Sequence, residues 1–149
     1  MWKDIELSDA KIVFDHIHII SEDPNSSAAW YEEMLGGKIT RESVVRGSIQ
    51  TSVAFEGVNL LIRSKRPGEE PGRKNSLQFF KDYVSHDQWG TDHFGFLVYG
   101  DLDEFCDRLK GKGVKFSVEP YDFVPGVRIS YIEAPDNVTI ELVQARENP

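Results

Sequence analysis

The sequence predicts an α+β fold in which one βαβββ unit is used twice. An aspartate-histidine pair opens an apolar, strand-like stretch at two places about half the chain apart, at Asp15-His16 and at Asp92-His93. Each stretch leads into an N-capped helix, and three further strand-like segments follow each helix. Two such units predict two modules whose mixed sheets curl into a half-open barrel.

The first unit begins with a strand over residues 12–20. Asp23 is suited to be the N-cap of the following helix, with Pro24 at the first helical position and Gly36 as the residue that ends it. Three strands are predicted after this helix, near residues 38–46, 49–55 and 58–63.

The second unit repeats this order from a strand over residues 92–99. Its helix is predicted over residues 102–110, because Asp101 and Glu104 have the spacing of a capping box. Its last three strands are predicted near residues 114–118, 127–133 and 138–144. The chain therefore divides into a polar lead-in, a first module, an inter-module loop and a second module, at residues 1–11, 12–63, 64–90 and 91–145.

Composition excludes several classes of function. The 149 residues suit one compact domain, and the formal charge of −8 argues against nucleic acid or an anionic membrane as a main partner. No apolar run approaches the roughly 20 residues that span a bilayer. Cys106 is the only cysteine, so an internal disulfide is excluded and a cytoplasmic setting is expected.

Strand periodicity predicts which side chains share a face. In the second unit Phe94, Phe96 and Val98 form a strongly apolar face that should pack on the helices, because alternate residues of a strand point the same way. His93 then lies on the concave face of the sheet. By repeat symmetry His16 occupies the matching position in the first unit.

The last strand places Glu141 on this same concave face. A carboxylate amid apolar residues is costly to bury unless it is neutralised, and a cation would neutralise it. Two histidines and one glutamate are a common ligand set for a catalytic divalent metal. The alternative is a pair of core histidines with a hydrogen-bonded glutamate and no metal.

Two further residues are predicted to lie on the concave face of the sheets, here called the cup. If residues 134–137 form a four-residue turn, Ser130 pairs with Glu141, and Arg128 lies two residues before Ser130 on the same face. Arg128 could orient an anionic group of a substrate, or it could form a structural salt bridge.

A basic cluster follows the first module, although Glu69 and Glu70 dilute its charge. We expect a solvated loop there in preference to an anion-binding site. The cluster consists of Arg63, Lys65, Arg66, Arg73 and Lys74.

Four motifs, taken in order, resemble the vicinal oxygen chelate superfamily. That superfamily includes glyoxalases, methylmalonyl-CoA epimerases, fosfomycin and bleomycin resistance proteins, and extradiol dioxygenases. The resemblance covers about residues 12–145 and is specific for a fold, not for a reaction. The motifs are Phe14-Asp15-His16-Ile17-His18-Ile19, Trp30-Tyr31 with Leu35-Gly36, Gly90-Thr91-Asp92-His93-Phe94-Gly95-Phe96, and the stretch from Tyr131 to Leu142.

The resemblance implies that His16, His93 and Glu141 are metal ligands, that the substrate is a small molecule, and that the protein is a homodimer. Many lyases and isomerases of the superfamily have a fourth ligand on the last strand of the first module. Here that position is expected at Leu60 or Leu61, which cannot bind metal. Asn59 would serve only after a register slip of one residue, which would also flip its face.

Three ligands favour an iron(II) enzyme of the extradiol dioxygenase type acting on a substrate with two adjacent oxygens. A glyoxalase- or epimerase-like lyase or isomerase with zinc, nickel, cobalt or manganese is the second reading, and a non-catalytic binding protein of the drug-resistance type is the third. In the dioxygenase reading His18 would move protons, and in the lyase or isomerase reading Glu141 or His18 would move a proton next to a carbonyl.

His18 departs from the usual pattern of the superfamily, because it adds an imidazole two residues after the ligand, roughly 7 Å along the strand. It could be an acid or base near the metal. It could equally be a hydrogen-bonded histidine that only fills the cup.

Overall fold

The computed structural model describes residues 13–72, 91 and 93–146. These residues form two βαβββ modules, so the predicted α+β class is confirmed. The first module comprises β1 (His16–Ile20), α1 (Pro24–Leu35), β2 (Lys38–Val45), β3 (Ser48–Phe55) and β4 (Val58–Arg63). The second comprises β5 (Phe94–Val98), α2 (Leu102–Gly111), β6 (Phe116–Val124), β7 (Val127–Ala134), a 3₁₀ turn (Pro135–Asn137) and β8 (Val138–Gln144).

Parts of the predicted organisation fall outside the described residues. These are the lead-in at residues 1–11, the first residue of the predicted first strand, residues 73–90 of the inter-module loop, and residue 92. Arg73 and Lys74 of the basic cluster are among them. Within the described helices, none is both long and apolar enough to cross a membrane.

Each module folds its strands into one mixed, four-stranded sheet. The strand orders are β1-β4-β3-β2 and β5-β8-β7-β6, which are the same arrangement used twice. β1 runs parallel to β4 and β5 runs parallel to β8, and the remaining pairs are antiparallel. Over the ranges that the structure describes, the two sheets stay open and do not close into a barrel.

The helix boundaries follow from their caps. Asp23 accepts a hydrogen bond from the backbone N–H of Ser26 at 3.1 Å, and α1 ends where Gly36 adopts a left-handed conformation with φ of 74°. Asp101 accepts from the N–H of Glu104 at 3.0 Å at the start of α2. Both predicted N-caps are confirmed. They could be predicted because a cap depends on only a few neighbouring residues.

The core lies between the helices and one face of each sheet. Alternation along the strands sends every second side chain into it, as the apolar pattern predicted. Phe94, Phe96 and Val98 pack against this core on the helix side of the second sheet. The fully buried side chains of the two modules include Tyr31, Val53, Leu60, Ile62, Leu102, Leu109, Ile132, Ile140 and Leu142.

The modules contact each other directly. The rings of Phe55 in β3 and Phe96 in β5 have centroids 4.8 Å apart. In addition, Ser27 in α1 donates a hydrogen bond of 2.6 Å to Oδ2 of Asp136, in the turn between β7 and β8. The first helix therefore holds a turn of the second module.

The connection between β7 and β8 is one residue shorter than the sequence suggested. Ala134 pairs with Val138, so only three residues lie between them, and Asp136 and Asn137 adopt positive φ angles of 65° and 58°. Tyr131, and not Ser130, is therefore opposite Glu141. A shift of one residue moves every side chain of a strand to the other face.

Candidate metal-binding site

The face of each sheet that is turned away from its helix, here called the open face, carries the polar side chains of interest. In the first module the open face includes His16, His18, Asn59, Leu61 and Arg63, because His16 pairs with Asn59 and His18 with Leu61. In the second it includes His93, Gly95, Leu97, Tyr131 and Glu141, because Gly95 and Tyr131 both pair with Glu141.

In the second module, His93 and Glu141 are in contact. Nε2 of His93 lies 3.2 Å from Oε2 of Glu141, and both side chains are about three-quarters buried, with 25% and 22% exposed. The hydroxyl of Tyr131 donates a hydrogen bond of 3.3 Å to the other oxygen, Oε1. The ring of His93 stands edge-on to the ring of Tyr131, with centroids 5.1 Å apart. Tyr131 thus contacts both members of the pair.

Gly95 makes room for this carboxylate. A Cβ atom at position 95 would lie 3.1 Å from the carbonyl oxygen of Glu141 and 3.2 Å from its Cβ, which is tighter than ordinary contact. Because Gly95 has no side chain, Glu141 can lie against β5 and reach His93.

The spacing of these donors fits a shared divalent cation. Metal–nitrogen and metal–oxygen bonds of about 2.1 Å, at angles between octahedral and tetrahedral, separate two ligand atoms by roughly 3.0 to 3.4 Å. The Nε2–Oε2 distance of 3.2 Å falls in that interval. A neutral imidazole and a carboxylate are also donors that zinc, manganese and iron(II) accept.

His16 lies on the open face of the other module. Its Nδ1 contacts the exposed carboxylate of Asp15 at 2.5 Å, and its ring centroid is 6.0 Å from that of His18. Among the residues that the structure describes, no three His, Cys, Asp or Glu side chains lie close enough together to hold a metal ion. One described chain therefore brings together two of the three predicted ligands.

The position that matches Glu141 in the first module is Leu61. Leu61 pairs with His18 as Glu141 pairs with Gly95. Of the two residues expected at the position of the fourth ligand, Leu60 and Leu61, the register therefore selects Leu61. Asn59 is two residues away from the position that matches Glu141, and only the expected face of its side chain needs correction. Asn59 pairs with His16 in the observed register and shares its face, so its amide is already on the open side.

The environment of His18 favours its neutral form. Desolvation at the sheet surface lowers the pKa of its imidazole, and the positive charges of Arg63, His16 and Arg66 lower it further. At neutral pH His18 is therefore able to accept a proton.

Arg128 and Ser130 do not face the cup, which corrects both predictions. Arg128 forms a two-pronged salt bridge with Asp103 of α2, at 2.6 and 2.8 Å, so it joins sheet and helix. Ser130 is fully buried and donates a hydrogen bond of 2.8 Å to the carbonyl of Val118. The cause is the three-residue turn, which shifts the register of β7 by one.

A cleft of about 480 Å³ extends along the end of β5 and β8. Leu97 and Val143 line it from the open face, and Tyr99 and Val127 add to its apolar wall. Neither His93 nor Glu141 lines this cleft, but Val143 lies two residues beyond Glu141 on the same face of β8.

Comparisons with known proteins identify the family. Residues 13–142 match the model of the Glyoxalase/Bleomycin resistance protein/Dioxygenase superfamily. A probable lactoylglutathione lyase of Synechocystis sp. is 30% identical over 113 residues, which are 65% of this chain and 84% of that protein.

Two solved structures share the fold. A glyoxylase/bleomycin resistance protein/dioxygenase domain from Frankia sp. EAN1pec superposes with a TM-score of 0.68 at 22% identity, covering 94% of this chain and 96% of that one. The fosfomycin resistance protein FosX from Listeria monocytogenes, solved with Mn(II) and sulfate, gives a TM-score of 0.61 at 18% identity over 91% and 94% of the chains. The chain belongs to the glyoxalase/bleomycin resistance protein/dioxygenase superfamily.

Proposed function

We propose that the protein is a homodimeric, divalent-metal-dependent enzyme whose site is completed between two copies. His93 and Glu141 of one copy and His16 of the other would hold the ion. The contact of His93 with Glu141 at 3.2 Å, supported by Tyr131, is the observation that carries this proposal.

The need for a second copy follows from the two open faces. Each carries part of the donor set, and His16 is not part of a three-donor cluster within the described chain. Large apolar side chains are exposed beside both halves, with Phe14 at 71% and Leu97 at 61%. A second copy packed on these faces would bury them and supply the missing histidine.

The substrate proposed is a small organic molecule with two adjacent oxygens. The ion, when bound, would hold both oxygens and stabilise the negative charge that develops on them. The apolar cleft lined by Leu97 and Val143 would accommodate the hydrocarbon part of the molecule.

The reaction proposed first is a proton transfer next to a carbonyl, as in a lyase or isomerase. His18 is a suitable base because its lowered pKa keeps the imidazole neutral. It would take the proton from the carbon next to the carbonyl and return it to the neighbouring atom. The likeness to a probable lactoylglutathione lyase and the amide of Asn59 beside His16 support this reading.

The second candidate is an iron(II) dioxygenase. The observation that favours it is Leu61, which occupies the position matching Glu141 and offers no donor. With His16, His93 and Glu141 as the whole ligand set, the arrangement would be the two-histidine, one-carboxylate triad.

Metal analysis followed by two assays tests the reaction. Isomerisation of hemithioacetals or epimerisation of acyl-CoA thioesters under nitrogen would support the first candidate. Oxygen uptake with catechols or hydroquinones would support the second. Purified protein that binds no divalent ion at all would contradict both.

Mixing two inactive variants tests the shared site. His16→Ala and Glu141→Gln should each abolish turnover, but random re-association should recover about a quarter of wild-type activity. Half of the dimers would be mixed, and one of the two sites in each would have every ligand. A mixture that stays inactive, although exchange of subunits is confirmed by mass spectrometry, would show that the site lies within one chain.

A further inference from the structure

The segment that follows β4 is a folded turn with fixed contacts, although the sequence favoured a solvated loop. The N–H of Ser64 donates to the carbonyl of Ile49 at 2.9 Å, and the N–H of Ile49 donates to Oγ of Ser64 at 3.0 Å. Residues 66–69 then form a β-turn closed by the N–H of Glu69 and the carbonyl of Arg66 at 3.0 Å. Gly68, with φ of 84°, and the preceding proline fit a type II turn.

This turn positions two arginines with one carboxylate. Oε2 of Glu69 accepts a hydrogen bond of 2.8 Å from Arg63 and one of 3.0 Å from the backbone N–H of Arg66. The bond from Arg63 lowers the pKa of Glu69, which keeps it ionised. The side chain of Arg63 is held in place with 13% of its surface exposed. The carboxylate therefore bonds to one guanidinium group, that of Arg63, and interacts with the charge of Arg66 over a longer distance. The three side chains together carry one excess positive charge.

Both guanidinium groups have an unmet hydrogen-bonding capacity. The Nε atoms of Arg63 and Arg66 are buried, and neither has a hydrogen-bond partner in the part of the chain that the structure describes. Buried donors without an acceptor are rare in folded proteins, and a bound water molecule or ion is one of the usual partners of such donors. The excess positive charge of the two arginines favours an anion over water here. Two of them on neighbouring arginines indicate a place for an acceptor with negative charge.

The arginines lie at one end of the open face of the first module. Arg63 pairs with Ile20 and follows Asn59 and Leu61 on the same side of β4. Because Asn59 pairs with His16, four residues separate Arg63 from the level of His16, or about 13 Å at roughly 3.3 Å per residue. His18 lies between them and experiences the charge of both arginines.

We propose that Arg63 and Arg66 form a subsite for an oxyanion, a carboxylate or a phosphoryl group, at the end of this face. The further statement that this anion is part of the substrate rests on the proposed function. In that case the substrate carries its negative group roughly 13 Å from the two oxygens near His16, given the strand spacing. The subsite itself does not depend on a metal.

The test uses the full-length protein after removal of metal with a chelator. Binding of inorganic phosphate and, separately, of acetate is measured by calorimetry, so that the two forms of oxyanion are compared. Arg66→Gln and Arg66→Lys should each weaken binding of the preferred anion by about tenfold, the second because lysine keeps the charge but lacks the planar donor pattern of arginine.

Lys65→Gln is the matched control. It removes one positive charge from the same turn, but Lys65 is 59% exposed and its only close partner among the described residues is Glu70, at 3.7 Å. The affinity of the Lys65→Gln protein for the anion should stay within about twofold of wild type, because exposed ion pairs contribute little. Arg63→Gln is a second variant, with circular dichroism to verify its fold.

Two results would overturn the proposal. One is wild-type protein that binds neither anion, and the other is Lys65→Gln protein that loses as much affinity as Arg66→Gln. Divalent metal taken up by the wild-type protein before chelation, measured in parallel, separates this proposal from the previous one. Protein that takes up metal but binds neither anion refutes the subsite alone, whereas protein that binds the anion but takes up no metal when metal is supplied refutes only the metal-dependent enzyme.

Discussion

The two modules share one frame but differ at one pair of facing positions. In the first module His18 faces Leu61, and in the second Gly95 faces Glu141. The side chain next to the acid is absent, whereas the side chain next to the leucine is an imidazole. In the proposed function, the duplicated unit therefore divides its tasks: the second copy provides the carboxylate, which needs free space, and the first copy provides an imidazole base beside an apolar neighbour.

The largest expected effect comes from removing the acid. Glu141→Gln removes the carboxylate that we propose as a ligand, and we expect a loss of metal affinity greater than the 10- to 100-fold that is typical for outer hydrogen-bonding partners. Metal content after dialysis, measured by mass spectrometry, checks this. Glu42→Gln, an exposed carboxylate on β2, is the control and should bind metal normally. Equal metal content in both variants would contradict the assignment.

The space beside the acid can be filled by one methyl group. Gly95→Ala should displace Glu141, because the new Cβ would lie 3.2 Å from its Cβ, and we expect metal affinity to fall by about tenfold. Gly111→Ala is matched in chemistry, and its Cβ would meet no atom within 4 Å. The comparison of modules would fail if the two alanine variants bound metal equally well.

Tyr131→Phe tests the hydrogen bond on the second oxygen of the acid. The hydroxyl is 3.3 Å from Oε1, and its loss should lower metal affinity by roughly tenfold at most, with the fold intact. Titration with a metal-competing dye measures the change. A variant with unchanged affinity would reduce Tyr131 to a packing role.

The smallest effect concerns how each helix is attached to its sheet. In the first module Asn25 accepts a neutral hydrogen bond of 2.7 Å from Thr51, whereas in the second Arg128 pairs with Asp103. The hydrogen bond from Arg128 lowers the pKa of Asp103, so this pair stabilises the folded state above the unfolded pKa of about 3.9 and the contribution disappears as pH falls through the lower folded value.

Arg128→Gln should therefore lower Tm slightly at pH 7 and by less at pH 2.5, as measured by thermal unfolding. The difference should be small because the side chains of Arg128 and Asp103 are 31% and 51% exposed, so solvent screens the pair. Thr51→Val, which removes the neutral bond of the first module, should lower Tm at both pH values. A pH-independent effect of Arg128→Gln would show that packing, and not charge, is its contribution.

The fold was predictable because its signals are local. The caps at Asp23 and Asp101 determine where helices begin, and the alternation of Phe94, Phe96 and Val98 determines which face is buried. The same alternation predicted that His93 and Glu141 lie on one face. Each of these features depends on a few neighbouring residues.

The register of β7 was not predictable in the same way. If Ala134 belongs to the turn, Glu141 pairs with Ser130, and if Ala134 belongs to the strand, Glu141 pairs with Tyr131, as observed. The sequence of this segment is compatible with either turn length. The positive φ angles of Asp136 and Asn137 settle the turn only once the surrounding structure is known. Tyr131 could have been found from sequence only by considering a three-residue turn as well.

The oxyanion subsite was missed for a different reason. The sequence shows Glu69 close to Arg63 and Arg66, which suggests that charges cancel in solvent. In the folded turn the carboxylate reaches Arg63 and a backbone N–H, and both Nε atoms remain without a partner. The number of charged residues can be read from the sequence, but the burial of individual hydrogen-bond donors such as these Nε atoms cannot.

The hydrogen bond from Ser27 to Asp136 has a consequence for how the two modules can change in evolution. Asp136 belongs to the short turn that aligns β8, and that alignment decides which way Glu141 points. A serine more than a hundred positions earlier in the chain thus helps to aim the acid. The second module therefore depends on the first for the position of this turn. In a chimera whose first helix comes from a distant homologue without this serine, we expect the side chain of Glu141 to be displaced.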